Sequence, residues 1–276
     1  MRDPAATYAK MVATAQSKLH APWLSQLLQG LLAGAYVGIG AMSANLASAG
    51  FTSNSEGSKL IGGAVFPVGL IAIFLTGANL FTGNSMYVVP PLLNGTVHPL
   101  RALAFLVLSF ASNFAGAVSI AYFVGHLGEY FGQEPYASFV KSNADHKCAY
   151  TWGVAFVRGI GANWLVCLGW WQALSTDDTI SKAFSIWWPV FTFTAIGFEH
   201  CIANMFYVVI GLLEGASATF GDFLVHNLVP VTLGNFLGGA VLLGAVGWAT
   251  YDESSPLATP TEPTESSQPL TINAAA

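Results

Sequence analysis

Long stretches without a charged side chain dominate the pattern of this chain. Residues 21–55, 60–100, 102–128 and 223–251 contain no Asp, Glu, Lys or Arg. A transmembrane helix needs about 20 predominantly apolar residues, so each of these runs is long enough to cross a bilayer. The pattern therefore predicts an all-α integral membrane protein, with the lipid bilayer as the solvent of most of its surface.

The uncharged runs divide into six predicted transmembrane helices. We place them at residues 23–48, 60–93, 99–126, 150–173, 183–214 and 225–250. The second and fifth are too long for one straight helix. The second contains Gly77 and Gly83 around a polar segment, and the fifth contains Gly197 directly before Phe198-Glu199-His200. Both are therefore predicted to be broken within the membrane.

The two halves of the chain resemble each other. The sequence Asn-Phe-Ala-Gly at 113–116 resembles Asn-Phe-Leu-Gly at 235–238, and Asn84 and Asn204 follow the two breaks. With three spans in each half, the second half must insert upside down relative to the first. Inverted repeats with broken helices in matching positions point to a transport site at mid-membrane. The predicted fold is thus two inverted three-helix repeats.

The ends of the chain differ from this membrane domain, which we place at residues 1–251. Tyr8, Met11 and Ala15 recur at helical spacing within residues 1–22, which indicates an amphipathic helix on the membrane surface; a short solvated helix fits equally well. Residues 252–276 are rich in Ser, Thr, Pro and Glu. That composition cannot bury a core, and we expect a disordered tail.

Composition and charge narrow the function. Only 8% of residues are charged and 54% are hydrophobic, whereas a soluble domain has about 25% charged residues. The net charge of −5 comes without a basic patch, so no nucleic-acid partner is expected. The three cysteines have no metal-binding spacing, and we expect no metal or cofactor.

Positive charges set the expected orientation. On the side of the two termini we count Arg2, Lys10, Lys18, Arg101 and Lys182, and on the other side Lys59, Lys141 and Lys147. Because the cytoplasmic side carries the excess of Lys and Arg, both termini are predicted to be cytoplasmic, in a plasma membrane.

The second break carries the candidate chemistry. Glu199 and His200 lie near the middle of the fifth span, and an ionisable group inside a span is a functional hypothesis by default. The alternatives are a core histidine bonded to a neighbour, and a glutamate that only anchors the amides of the break. Thr82, at the first break, also has two possible roles. It can bind the substrate, and it can satisfy backbone groups that the break leaves without a hydrogen-bond partner.

A histidine between apolar walls suits the transport of a weak acid. A bare carboxylate moved into a low-dielectric medium costs on the order of 20 kcal/mol in the Born limit. Protonating it first at pH 7, from a pKa of about 4, costs about 4 kcal/mol. The neutral acid therefore crosses at the lower free-energy cost, so we expect the anion to move with a proton. Because histidine titrates near neutrality, it is the side chain able to donate that proton in mid-path.

Three segments carry a resemblance to a known family. Leu-Thr-Gly-Ala-Asn-Leu-Phe-Thr-Gly-Asn at 75–84 resembles the first signature of the formate–nitrite transporter family, and Gly-Ile-Gly-Ala-Asn-Trp-Leu-Val-Cys-Leu at 159–168 resembles its second. Gly-Phe-Glu-His-Cys-Ile-Ala-Asn-Met at 197–205 is similar to the family's break in the fifth span. The likeness covers about residues 5–250 in order.

This resemblance implies an aquaporin-like fold and a homopentamer with one pore through each subunit. It implies a small monovalent anion as substrate: formate, with nitrite, acetate, lactate and hydrosulfide left open. The implied path for substrate and proton consists of His200 at the pore centre, Thr82 facing it, Asn163 nearby, Asn204 and Glu199 beside the break, and Lys147 at the outer vestibule.

The resemblance also implies two apolar constrictions. Phe66, Leu70 and Phe193 match the inner one, and Leu80 and Val166 join Phe193 in the outer one. Apart from the resemblance, such residues would be ordinary apolar positions. Lys147, on the loop 141–147, would by itself be a solvated charge; the resemblance gives it the role of attracting the anion.

Other functions fit the sequence less well. An intramembrane enzyme is disfavoured because the chain has no His-Glu-x-x-His, Gly-x-Ser-x-Gly or phosphate-loop motif. A channel for water or glycerol would share the fold, but the paired Asn-Pro-Ala loops are absent. A structural scaffold would not need a buried Glu-His pair at a helix break.

Overall fold

The computed structural model describes residues 1–257, which are helical with no strand among them. The helices long and apolar enough to cross a membrane are Trp23–Ser48, Glu56–Thr76, Pro99–His126, Trp152–Leu174 and Phe220–Tyr251, and a sixth span is the pair Thr179–Ile196 and Cys201–Leu213, bent by 51°. The predicted six-span, all-α membrane fold is confirmed. Of the predicted tail, residues 258–276 lie outside the described residues.

The first half contains seven helices. They are α1 (Pro4–His20), α2 (Trp23–Ser48), α3 (Glu56–Val65), α4 (Pro67–Thr76), α5 (Phe81–Tyr87), α6 (Val89–Leu93) and α7 (Pro99–Ser119), which continues as a π-helix over Ile120–His126. The predicted second span is α3 and α4, followed after a break by α5 and α6.

The second half follows the same plan. Its helices are α8 (Tyr136–Cys148), α9 (Trp152–Leu174), α10 (Thr179–Ile196), α11 (Cys201–Leu213), α12 (Phe220–Asp222), α13 (Val229–Gly239) and α14 (Val246–Tyr251), with π-helical stretches at Phe223–Leu228 and Ala240–Ala245. The break between α10 and α11 corresponds to the break between α4 and α5.

Both breaks have the same backbone geometry. Gly77 ends α4 with φ 75°, and Gly197 ends α10 with φ 83°. A side chain is disfavoured in this left-handed conformation, which is why glycine terminates many helices. The amide after each glycine then donates back to the preceding turn: Ala78 to the Ile73 carbonyl at 3.0 Å, and Phe198 to the Phe193 carbonyl at 2.9 Å.

Asn113 secures the first break. Its side-chain oxygen accepts the Phe81 N–H at 2.8 Å, at the start of α5. Its amide nitrogen donates to the carbonyls of Gly30 at 2.8 Å and Asn79 at 2.9 Å. One buried side chain therefore ties α2, the broken segment and the next half-helix together, and it satisfies backbone groups that have no water to bind in the membrane.

Asn235 does the same for the second break. It accepts the Cys201 N–H at 2.8 Å and donates to the carbonyls of Gly159 at 2.7 Å and Glu199 at 2.9 Å. These are the partners that the internal repeat predicts from Asn113. The two asparagines were recognisable in the sequence as a repeated motif. The structure shows that each one hydrogen-bonds the backbone at a helix break.

Glycines allow the helices that carry these asparagines to pack closely. A β-carbon at Gly34 would stand 2.0 Å from the Asn113 carbonyl oxygen, and one at Gly234 would stand 2.1 Å from that of Phe156. Small residues at such crossings let membrane helices approach backbone to backbone. In this way α2 packs on α7 and α9 packs on α13.

The N-terminal helix α1 packs on the protein. Met11, Ala15 and Leu19 are fully buried, and α1 lies against α5, α9 and α14. Helix α1 thus has one apolar face, and that face packs on the protein, whereas the prediction placed it on the membrane surface. Residues 252–257 of the predicted tail begin beside it, where Asp252 accepts hydrogen bonds from Tyr8 at 2.5 Å and Asn94 at 2.9 Å.

Candidate transport site

His200 lies where the two broken helices meet. It immediately precedes α11, and its Nδ1 accepts the Ala203 N–H at 3.1 Å, which caps that helix. Its Nε2 lies 3.0 Å from the Thr82 hydroxyl on α5. Because Nδ1 is an acceptor here, a neutral ring carries its proton on Nε2 and donates it to Thr82. The side chain is 2% exposed.

Thr82 is fixed from the other side by Asn163. The Thr82 carbonyl accepts the Asn163 amide at 3.0 Å, and the same amide lies 3.0 Å from the Ser85 hydroxyl and 2.6 Å from the Asn235 carbonyl. The side-chain nitrogen of Asn163 is thus occupied by protein groups from both halves. In the structure it positions Thr82, and it lines neither of the cavities described below.

Glu199 and Lys147 form an ion pair. The ammonium lies 3.0 Å from both carboxylate oxygens, and the side chains are 2% and 12% exposed. Asn204 donates to the same carboxylate at 2.7 Å and Asn227 at 3.4 Å. Lys147 lies on helix α8 rather than on an irregular loop. The buried glutamate holds it, so the alternative of a solvated charge does not apply.

The first break has a lysine of its own, which the sequence analysis missed. Lys18 on α1 donates to the carbonyl of Gly77 at 2.9 Å, to that of Ala78 at 3.2 Å and to the side chain of Asn79 at 2.8 Å. Burial lowers the pKa of Lys18 to about 8. A signal existed: Lys18 precedes α2 by the same number of residues as Lys147 precedes α9.

Two cavities lie near opposite ends of α9, and His200 lines one of them. The first, here the Lys147 cavity, has a volume of about 90 Å³ and includes Phe66, Lys147, Phe193, Glu199, His200 and Asn204 in its wall. The second, the Lys18 cavity, has about 210 Å³ and is lined by Arg2, Lys10, Lys18, Ile73, Trp170 and Lys182, among others. Each cavity ends at one of the two breaks.

Aromatic rings lie beside His200 in the wall of the Lys147 cavity. The rings of Phe66 and Phe193 meet edge to face with centroids 5.8 Å apart, and Phe193 stacks on His200 at 5.9 Å. Phe66 therefore lies on the same side as Lys147. Assigning Phe66 to the inner constriction and Lys147 to the outer vestibule is wrong, because one cavity contains both.

The other predicted constriction residues are buried. Leu80, which follows the Lys18-bonded Asn79, is 1% exposed, while Leu70 and Val166 are fully buried. None of the three lines the Lys147 or the Lys18 cavity, and their role in a constriction stays a prediction. Within residues 1–257 no group of three metal-ligating side chains comes together.

This architecture is similar to that of a known family of membrane proteins. The family described as Formate/nitrite transporter matches residues 5–249. The chain is 37% identical to a protein named probable formate transporter from Methanothermobacter thermautotrophicus, over 91% of this chain and 97% of that protein.

Solved structures of channels have a similar fold. An FNT family ion channel superposes with a TM-score of 0.79 at 31% identity, covering 89% of this chain and 97% of the other. A structure described as a pentameric formate channel with formate bound superposes with a TM-score of 0.72 at 28% identity, covering 82% of this chain and 96% of the other.

Proposed function

The chain belongs to the formate/nitrite transporter family, and from that premise we propose that it carries small monovalent anions, formate first among them, across a membrane. The proteins it matches are named as transporters and channels, which confirms the prediction of a transporter rather than an enzyme. Its six spans make it a multi-pass membrane protein.

One observation carries the proposal. The hydrogen-bonded pair of His200 and Thr82 joins the ends of the two broken helices, and a cavity containing lysine lies beside each of the two breaks. Lysine in a narrow mouth raises the local concentration of anions. The buried polar pair then offers a hydrogen-bonding partner at the point where a permeant has lost its water.

The anion travels with a proton. Phe66 and Phe193 lie beside His200 in the Lys147 cavity, and a bare carboxylate would cost on the order of 20 kcal/mol in such apolar surroundings in the Born limit. Protonation at pH 7 costs about 4 kcal/mol. The difference favours electroneutral movement of anion plus proton.

His200 takes part as a neutral ring. To give up the proton on Nε2, the ring would have to gain one on Nδ1, where the Ala203 N–H already points. This hydrogen bond supports a role in which Nε2–H binds the passing acid in place of Thr82, and the proton joins the anion in the cavity beforehand. The proton-donor role predicted from the sequence is the competing account.

The assembly is a homopentamer, which the likeness to a pentameric formate channel supports, and each subunit has its own pore. Large apolar side chains on the outside of the spans suit lipid and neighbouring subunits; Leu103, Val107 and Val157 are each more than half exposed in the single chain. We place it in the plasma membrane with both termini cytoplasmic.

Uptake into liposomes tests the proposal. Purified protein should take up formate and nitrite, and to a smaller extent acetate and lactate, faster with an inward proton gradient than without one. Glycerol serves as the neutral control. Glycerol uptake without formate uptake would contradict the proposal and favour a neutral-solute channel.

A further inference from the structure

The Lys147 cavity contains a second lysine whose charge is not compensated. Lys147 and Glu199 neutralise each other at 3.0 Å, so their pair presents little net charge to an approaching anion. Lys59 lines the same cavity, and within residues 1–257 no carboxylate forms an ion pair with it. The uncompensated cation of this cavity is therefore Lys59.

The end of α10 holds Lys59 at the mouth of the cavity. Its Nζ lies 3.8 Å from where a β-carbon of Gly197 would stand, beside the last carbonyls of α10, the negative end of that helix dipole. Lys59 lies near the start of α3, and the side chain is only half-buried. The ammonium thus faces both the break and the solvent from which an anion arrives.

Asn45 supplies an unused hydrogen-bonding group in the wall of the same cavity. The residue is 2% exposed; its oxygen accepts the Asn143 amide at 3.4 Å, but its own nitrogen has no partner among the described residues. Exchanging oxygen and nitrogen in both amides would leave an oxygen without a partner instead. Buried polar atoms are rarely left unsatisfied, so this one indicates a missing partner.

A hydrogen bond between helices brings the two residues to one cavity. The Ser48 hydroxyl donates to the Ser58 carbonyl at 2.9 Å. Ser48 lies three positions after Asn45 and so shares its face of α2, and Ser58 directly precedes Lys59. Asn45 and Lys59 both line this cavity, which has a volume of about 90 Å³.

We propose that Lys59 and Asn45 form an anion-collecting site in the Lys147 cavity, ahead of His200 on the path, for anions of the size of formate and nitrite. Lys59 draws the anion in by its charge, and the Asn45 amide donates to one of its oxygens. The site rests on the proposed transport function. It is specific to one side of the membrane, because both residues lie in the Lys147 cavity.

Formate influx at low ionic strength tests the site in right-side-out and inside-out vesicles. Lys59→Gln should raise the half-saturating formate concentration about fivefold for transport that starts at the Lys147 cavity, the value of one contact charge in water. The maximal rate should stay the same, and added salt should reduce the difference. Transport that starts at the Lys18 cavity should keep its half-saturating concentration.

Two further variants separate the site from general effects. Lys141→Gln removes a positive charge from the same end of the molecule, on α8 outside the cavity, and should change nothing. Asn45→Leu removes the unused donor at similar volume, together with the acceptor of the Asn143 amide; it should cost about 1–3 kcal/mol of stability at most and raise the half-saturating concentration on the same side.

Two results would overturn the inference in different ways. If Lys59→Gln behaves like Lys141→Gln while the wild type transports formate, the site is wrong and the transport function stands. If the wild type moves no monovalent anion at all, both fail together.

Discussion

The two helix breaks share a backbone and differ in chemistry. At each break, a glycine in the left-handed conformation ends one half-helix. An asparagine from the third transmembrane span of that half, on α7 or α13, then accepts the first N–H of the next half-helix. At the first break Asn79 and Leu80 directly precede the next half-helix; at the second, Glu199 and His200 do. Both breaks receive a lysine, Lys18 or Lys147.

This difference separates what the fold needs from what the chemistry needs. Glycine and asparagine occur at both breaks because any interrupted membrane helix must satisfy its freed backbone groups. An ionisable pair occurs at only one, so it is not required for the break itself. The carboxylate and the imidazole are therefore the functional additions to a structural motif that the chain uses twice.

The largest effect should come from removing either asparagine clamp. Asn113→Leu and Asn235→Leu each leave two buried backbone groups at the break without a partner, at about 1–3 kcal/mol apiece, so we expect a loss of roughly 2–6 kcal/mol in each case. Thermal unfolding of the detergent-solubilised protein measures it. Ser119→Ala, on the exposed side of α7, is the control and should be near neutral. A large loss of stability for only one of the two variants would show that the two helix breaks are not stabilised in the same way.

The two lysines should differ in their importance for stability. Lys147→Met leaves Glu199 buried without its counter-ion, which costs about 3–5 kcal/mol. Lys18→Met removes only hydrogen bonds to neutral groups, worth about 1 kcal/mol. Adding Glu199→Gln to Lys147→Met should restore most of the lost stability. Equal losses for the two single variants, measured by thermal unfolding, would show that Glu199 does not distinguish the breaks.

The smallest of these effects concerns selectivity. Phe193 and Ile73 occupy equivalent positions before the two glycines, but only Phe193 stacks on His200. Phe193→Ala should raise the lactate-to-formate uptake ratio about tenfold, the scale on which apolar pockets discriminate size. Ile73→Ala should raise it less. Competitive uptake into liposomes checks this, with the pentamer verified by size; an unchanged ratio in Phe193→Ala would remove Phe193 from the constriction.

Much of the fold could be predicted from the sequence because its signals are local. Uncharged runs locate the spans, and Gly77 and Gly197 locate the breaks. The repeated asparagine motif also stood out, although its task depends on partners such as Gly30 and Gly159, which lie far away in the chain. The positions of the breaks were predictable, while the hydrogen bonds that stabilise them were not.

The site was harder to predict because its contacts depend on packing between distant segments. The ion pair of Lys147 with Glu199 joins α8 to the second break, and nothing in the loop-like sequence around Lys147 indicates a buried partner. Lys18 lies outside every predicted span and reaches the first break only because α1 packs on the protein. The side on which Phe66 lies likewise follows from the cavity and not from the pattern.

The most direct test of this account is transport by His200→Asn, with flux and current measured together. Asparagine is a good helix cap, so it can replace Nδ1 towards Ala203 and still donate to Thr82, but it cannot titrate. If the imidazole stays neutral, the variant should keep formate uptake within about tenfold of the wild type, with the same pH dependence and no current. Loss of the pH dependence, or formate leaking as a measurable current through a verified pentamer, would contradict the account and restore His200 as the proton donor.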